Sequence, residues 1–159
     1  MLSVKNERIF SLCLDEATKS GLLYQHGCIA TCGGKILARG CNTTRRRNYS
    51  DIVVNNTCSC HAEISVIHKI NNKFINTSKE HKRSKTLKKT TLYISRVKDT
   101  EDNSYNSAPC KDCLNIIQMY HIKRIIFYLN DRYYVMNPRD YTTDHQSYGQ
   151  IYMDKLKRK

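Results

Sequence analysis

Apolar residues recur along this chain in two rhythms, one helical and one alternating. Over residues 5–20, Ile9, Leu12, Cys13 and Ala17 stand at mixed three- and four-residue spacing, which predicts an amphipathic helix closed at Gly21. The β-rich runs CIATC (28–32) and KILARGC (35–41) flank Gly33-Gly34, a two-residue separator that predicts a hairpin. Residues 42–58 carry no apolar period and read as a loop. From His61 onward, Ile64, Ile67 and Ile70 return at helical spacing. TLYIS (91–95) reads as a strand. Pro109 opens a helix with Leu114, Ile117 and Tyr120 on one side, ending near His121. IIFYL (125–129) reads as a buried strand, and Asn130-Asp131 joins it to RYYVM (132–136) as a second hairpin. The order helix, strand, strand, helix, strand, helix, strand, strand predicts an α/β fold, a mixed sheet with helices packed on it.

What the pattern leaves over is polar and basic. NNKFINTSKEHKRSKTLKKT (71–90) is nearly free of apolar residues and reads as an exposed insertion, open to disorder. Arg45-Arg46-Arg47 and the tail 155–159 add further basic blocks, and the net charge is +13. Such a surplus attracts polyanions, so RNA or single-stranded DNA is a candidate partner through the basic segments. The 159 residues allow one core, and a single domain over 1–159 is expected. No stretch approaches the roughly 18–20 apolar residues of a membrane span. Lys5, Glu7, Arg8 and Asp15 interrupt any leader-like apolar run, so a cytoplasmic, reducing setting is expected. There the eight cysteines point to metal ligation, catalysis or burial rather than disulfides.

The chemistry concentrates in His61-Ala62-Glu63 and Pro109-Cys110-Lys111-Asp112-Cys113. Cys110 and Cys113 are three apart in a first helical turn, so both sulfurs can face one point, and a helix N-terminus favours thiolate. Zinc accepts two thiolates and one imidazole, here His61, and three protein ligands leave a fourth position open, the mark of a catalytic site. His61 and Glu63 are two apart, yet side chains in a first turn can converge around a helix axis that points at the metal. Glu63 is then placed to move protons between water, substrate ring and leaving group. Cys58 and Cys60 could join a second zinc or be plain loop or buried thiols. Cys13, Cys28 and Cys32 fall on element faces as small core residues. The other histidines have no partner by spacing.

The H-x-E and P-C-x-x-C pair, in this order, is the signature of the zinc nucleobase deaminases. The chain resembles the cytidine and deoxycytidylate deaminase superfamily over roughly residues 5–136, including HGCIATCGGKILARGCN (26–42), HAE, TLYIS and SAPCKDCLNIIQMYHIKRIIFYL. The resemblance implies a three-layer fold with a five-stranded mixed sheet, one catalytic zinc at two helix N-termini and hydrolytic loss of ammonia from a cytosine-type base. It also implies that Asn42 contacts the sugar or base, that backbone groups near Ala62 and Ser107 meet the base edge, and that the chain forms a homo-oligomer.

Three features bear on the substrate and pull apart. Histidine as first ligand resembles the deoxycytidylate and nucleic-acid branches. The Asn130-Asp131 hairpin resembles the cytidine branch, whose last strand is antiparallel. Deoxycytidylate deaminases usually read HAExNAI, and this chain has Ser65 at the Asn position. Strand binding should combine a basic groove with stacking aromatics, and the 71–90 segment offers Phe74 alone. A free nucleoside or nucleotide is therefore the expected substrate. A deaminase acting on RNA or single-stranded DNA is the alternative, and a non-catalytic zinc module that binds nucleic acid is a further one, though it gives Glu63 no purpose.

Overall fold

The computed structural model describes residues 1–44, 59–74, 80–97 and 105–158. Their elements, in chain order, are α1 (Val4–Ala17), β1 (His26–Cys32), β2 (Lys35–Cys41), β3 (Thr43–Thr44), β4 (Ser59–Cys60), α2 (Ala62–Asn72), α3 (Glu80–Leu87), β5 (Thr91–Arg96), α4 (Lys111–Met119), β6 (Arg124–Leu129), β7 (Arg132–Met136) and α5 (Tyr148–Lys157). Both hairpins form as the turn residues dictate. Gly33 and Gly34 sit at φ +57° and +82°, and Asn130 and Asp131 at +48° and +61°. A two-residue turn that needs φ > 0 at both positions takes Gly, Asn or Asp for this reason.

The main sheet has the order β2-β1-β5-β6-β7. β5 and β6 run parallel, and every other neighbouring pair is antiparallel. Strand alternation sorts side chains between two cores. Ile29, Tyr93 and Ile126 point to α1, where Phe10 and Cys13 meet them. Cys28, Ala30, Leu92, Ile94, Ile125 and Phe127 point to the opposite face, against Val66, Ile67 and Ile70 of α2 and Leu114 and Ile117 of α4. The result is three layers: one helix, a mixed five-stranded sheet, and a pair of helices. Gly27 lets α1 lie this close, because a Cβ there would stand 2.4 Å from the Cys13 carbonyl oxygen.

Details depart from the sequence pattern where burial and spacing disagree. In α1 the buried face is Phe10, Cys13 and Ala17, with Ile9 and Leu12 half-buried at its edge. In α2 Val66 takes the inner position, and Ile64 is half-exposed. Pro109 does not open α4: Cys110 is the N-cap and Pro109 lies one residue outside the helix. That helix closes at Met119, with His121 beyond it at φ +54°.

The described parts of the basic segment, 71–74 and 80–90, are tied to the core at a few points. Asn71 and Asn72 finish α2, Phe74 packs against the core, and α3 is anchored by Leu87, which is fully buried. Residues 75–79 and most of the loop read over 42–58 lie outside the described residues, apart from β3 pairing with β4 at Thr43 and Cys60. The basic tail belongs to α5, capped by the Ser147 hydroxyl, which accepts from the Gln150 N–H. Among the described residues no helix is long and apolar enough to cross a membrane.

Candidate active site

Two helix N-termini meet on one face of the sheet, and their N-cap positions carry unusual residues. Ser, Thr, Asp and Asn favour N-caps because their side-chain oxygens accept from the first free N–H groups. Here His61 caps α2 and Cys110 caps α4, both in extended conformation and neither with a side-chain cap hydrogen bond. Their side chains turn instead to each other. His61 Nδ1 lies 3.5 Å from Cys110 Sγ and 3.1 Å from Cys113 Sγ. All three donor atoms fall within 4.8 Å of one another.

This cluster suits zinc. Tetrahedral ligands at Zn–S of about 2.3 Å and Zn–N of about 2.0 Å place nitrogen and sulfur about 3.5 Å apart, close to the separations seen. Without a metal the cluster shares its protons unevenly, and only Cys110 is held as thiolate, so zinc binding would release the proton of Cys113. The Cys113 thiol donates to Cys110 and His61 adds a further hydrogen bond, holding Cys110 down to about 4 against the desolvation of its site. The same shared proton, together with burial and the nearby Glu63, pushes Cys113 well above the ordinary thiol range. Burial works against a charged His61, but contact with Cys110 and the field of Glu63 outweigh it and raise its pKa. Among the described residues this is the one His, Cys, Asp and Glu group close enough to hold a metal.

Glu63, in the first turn of α2, is 5% exposed. Burial raises its carboxyl above the usual range, His61 pulls it back down, and the Cys110 charge raises it again. A carboxyl tuned upward beside a metal site is the state in which one group can both take and give a proton near neutrality. Ser65, one turn in, explains the small side chain at that position. Its Oγ lies 2.9 Å from where a Cβ on Gly40 would stand, so β2 and α2 leave little space for asparagine.

The remaining residues singled out in the sequence fare differently. Ala62 is fully buried as the first residue of α2. Ser107 pins the loop before α4: its hydroxyl donates to the Ile94 carbonyl at 2.7 Å and accepts from the Tyr128 N–H, and its own N–H donates to the Tyr128 carbonyl. Asn42 clamps the strand ends, Nδ2 donating to the Tyr24 carbonyl at 2.6 Å and Oδ1 accepting from the His26 N–H at 2.9 Å. Among the described residues that uses one N–H and one lone pair of the two of each that the carboxamide has. Asn42→Ala should therefore lower the thermal midpoint, since each buried backbone group left unpaired costs about 1–3 kcal/mol. An unchanged midpoint, measured by thermal denaturation without substrate, would make Asn42 a ligand contact alone. Cys60 is a buried thiol, pushed up to about 11 by desolvation and donating to the His61 carbonyl; Cys58 lies outside the described residues. None of the described cysteines is in a disulfide.

Other residues around the cluster carry no spacing signal. His26 pairs in register with Arg96, so the first residue of β1 and the last of β5 sit side by side. Burial and the charges of Arg96, His61 and His145 hold His26 down to about 3, which keeps its ring neutral. The Lys111 N–H, next to Cys110, donates to the His145 carbonyl at 2.8 Å. The Tyr24 ring stacks on Tyr148 at 5.7 Å and carries the Arg96 guanidinium 5.2 Å from its centroid. The C-terminal segment thus lies against the end of the sheet that holds the cluster.

A three-layer α/β fold with an imidazole, two thiols and a buried carboxyl at two helix tips is the build of a zinc-dependent hydrolase. Residues 3–129 match the family model of the cytidine and deoxycytidylate deaminase zinc-binding region, and the chain belongs to that family. It is a zinc deaminase, a hydrolase of carbon–nitrogen bonds. Among solved structures, the fold is similar to that of the dCMP deaminase from the cyanophage S-TIM5 in apo form, at 19% identity and a TM-score of 0.51, covering 79% of this chain and 82% of that one. The cyanophage dCMP deaminase in complex with dCMP and dUMP is similar at 18% identity and a TM-score of 0.49, covering 79% and 81%. No curated protein matches the chain.

Proposed function

We propose that this deaminase converts cytosine to uracil on a free nucleoside or nucleotide, water adding at the amino-bearing ring carbon and ammonia leaving. The observation that carries the reading is Glu63, buried beside the His61–Cys110–Cys113 cluster with its carboxyl raised by desolvation. A zinc module that only bound nucleic acid would have no use for a carboxyl there. His61, Cys110 and Cys113 would hold zinc, which when bound would supply a Lewis acid able to bring the pKa of water to about 7. Glu63 accepts a proton from the attacking water and passes it to the ring nitrogen, then takes the second proton from the hydroxyl so added and gives it to the departing amine, which leaves as ammonia. We assign contacts with the base edge to backbone groups at Ala62 and Ser107; the Ser107 N–H is already bonded to the Tyr128 carbonyl, so its own carbonyl is the group for that role. The second N–H and lone pair of Asn42 are the groups available to a sugar hydroxyl.

Two features support a small substrate over a strand. The C-terminal segment lies beside the cluster end, the His145 carbonyl on the Lys111 N–H and the Tyr148 ring on Tyr24, which leaves less room there for a strand. Arg96 stands at the same end and suits a phosphorylated substrate. The test is ammonia release and product mass with cytidine, deoxycytidine, CMP, dCMP, single-stranded RNA and single-stranded DNA. Turnover of a monomeric substrate with little on the strands is the expected result. Turnover confined to the strands would overturn the reading.

A further inference from the structure

The basic segment that the catalytic site leaves unused reaches a second concavity. A pocket of about 340 Å³ is lined by Lys88, His121, Lys123 and Arg139, over a floor that includes Ile122 and Pro138. Lys88 lies just before β5, Lys123 just before β6 and Arg139 just after β7. All three therefore gather at the starting ends of the parallel pair, whereas the zinc ligands follow its finishing ends. A six-residue strand separates the two by roughly 20 Å.

Its chemistry is that of a donor cradle. The Arg139 guanidinium, which can only donate, lies 3.0 Å from His121 Nδ1, so that nitrogen is the acceptor and the ring proton sits on Nε2. The Nε2–H of His121 is thereby the ring's donor, placed by its left-handed backbone at φ +54°. Two ammonium groups and a guanidinium join it, with the amides of Gln118 and Asn137, and none of the lining residues is acidic. The positive surface continues onto α3, where Lys82 and Lys85 are exposed, and onto the turn after it, where Lys89 is exposed. The carboxylate of that helix, Glu80, is paired with Arg83 at 3.0 Å.

We propose that this pocket binds the phosphodiester backbone of a single-stranded nucleic acid, apart from the catalytic centre. A volume near the lower end of ligand pockets fits one nucleotide unit, and Lys82, Lys85 and Lys89 extend the basic surface to its neighbours, so the contacts are to the phosphate backbone with no base stacking, and a lone phosphate would not use them all. The proposal does not rest on the reading of the substrate. An oligo(dT) probe, which has no cytosine, separates the two.

Fluorescence anisotropy with labelled oligo(dT) should show binding whose log affinity falls linearly with log salt. Lys88→Ser, Lys123→Ser and Arg139→Gln together should flatten that slope by about 2, at roughly 0.7 for each phosphate no longer neutralised. Thermal midpoint and mononucleotide turnover should stay unchanged, because all three side chains are exposed and remote from the zinc ligands. The double variant Lys88→Ser/Lys123→Ser keeps the Arg139–His121 hydrogen bond and should flatten the slope by about 1.4. Failure of oligo(dT) to bind, or an unaltered slope in both variants, would overturn the proposal. Tight binding of pyrophosphate without binding of oligo(dT) would overturn it too and assign the pocket to a free phosphate compound.

Discussion

Glu63→Gln should leave the protein folded and loaded with zinc, yet lower ammonia release by at least about 100-fold, the lower figure for loss of a positioned acid–base group. The structural reason is that Glu63 touches the site without belonging to the ligand set. Burial already disfavours its charge, so a neutral amide of the same shape removes a strained group rather than a stabilising one. The thermal midpoint should hold or rise. The loss should fall on kcat, because proton transfer is needed only after substrate has bound. Near-normal turnover in Glu63→Gln protein would remove this carboxyl from the mechanism, whatever the metal content.

Cys110→Ser should lose most of the zinc, and with it all measurable deamination. This substitution isolates the metal from the helix. Cys110 caps α4, and serine is among the best N-cap residues, so the local structure gains a cap as it loses a ligand. Any fall in thermal midpoint then reports the folding free energy that bound zinc contributes. Metal analysis of dialysed protein, with thermal scans in the presence and absence of added zinc, reads both effects. Cys113→Ser should behave alike for metal and show the greater loss of stability, because Cys113 sits fully within the core. Full zinc occupancy in both variants would show that the metal lies elsewhere.

How much of this was legible in the chain follows from the range over which each constraint acts. Metal ligation and helix geometry act over a few residues, so His61, Cys110 and Cys113 could be named from spacing, and they do meet in space. Turns with positive φ restrict residue choice just as locally, which is why Gly33-Gly34 and Asn130-Asp131 announced both hairpins. The surroundings of the cluster were not legible. His26 meets Arg96 only through sheet register, and Tyr148 meets Tyr24 only because the C-terminal segment folds back. No local pattern encodes either meeting. α5 buries no residue, and α3 buries Leu87 alone, so neither leaves an apolar period to read. Asn42 was read for its chemistry toward a ligand, and the two backbone groups its carboxamide also holds come together only in the folded chain.

The central claim is a single catalytic zinc held by His61, Cys110 and Cys113 and required for deamination. Its most direct test is a titration of chelator-stripped protein with zinc, following ammonia release from dCMP or whichever substrate of the panel is turned over. Activity should be absent in the stripped protein, return in proportion to added zinc, and level off at about one ion per chain, as a three-ligand site with one open position requires. Activity that survives stripping, or that rises only as a second ion per chain is added, would contradict the account.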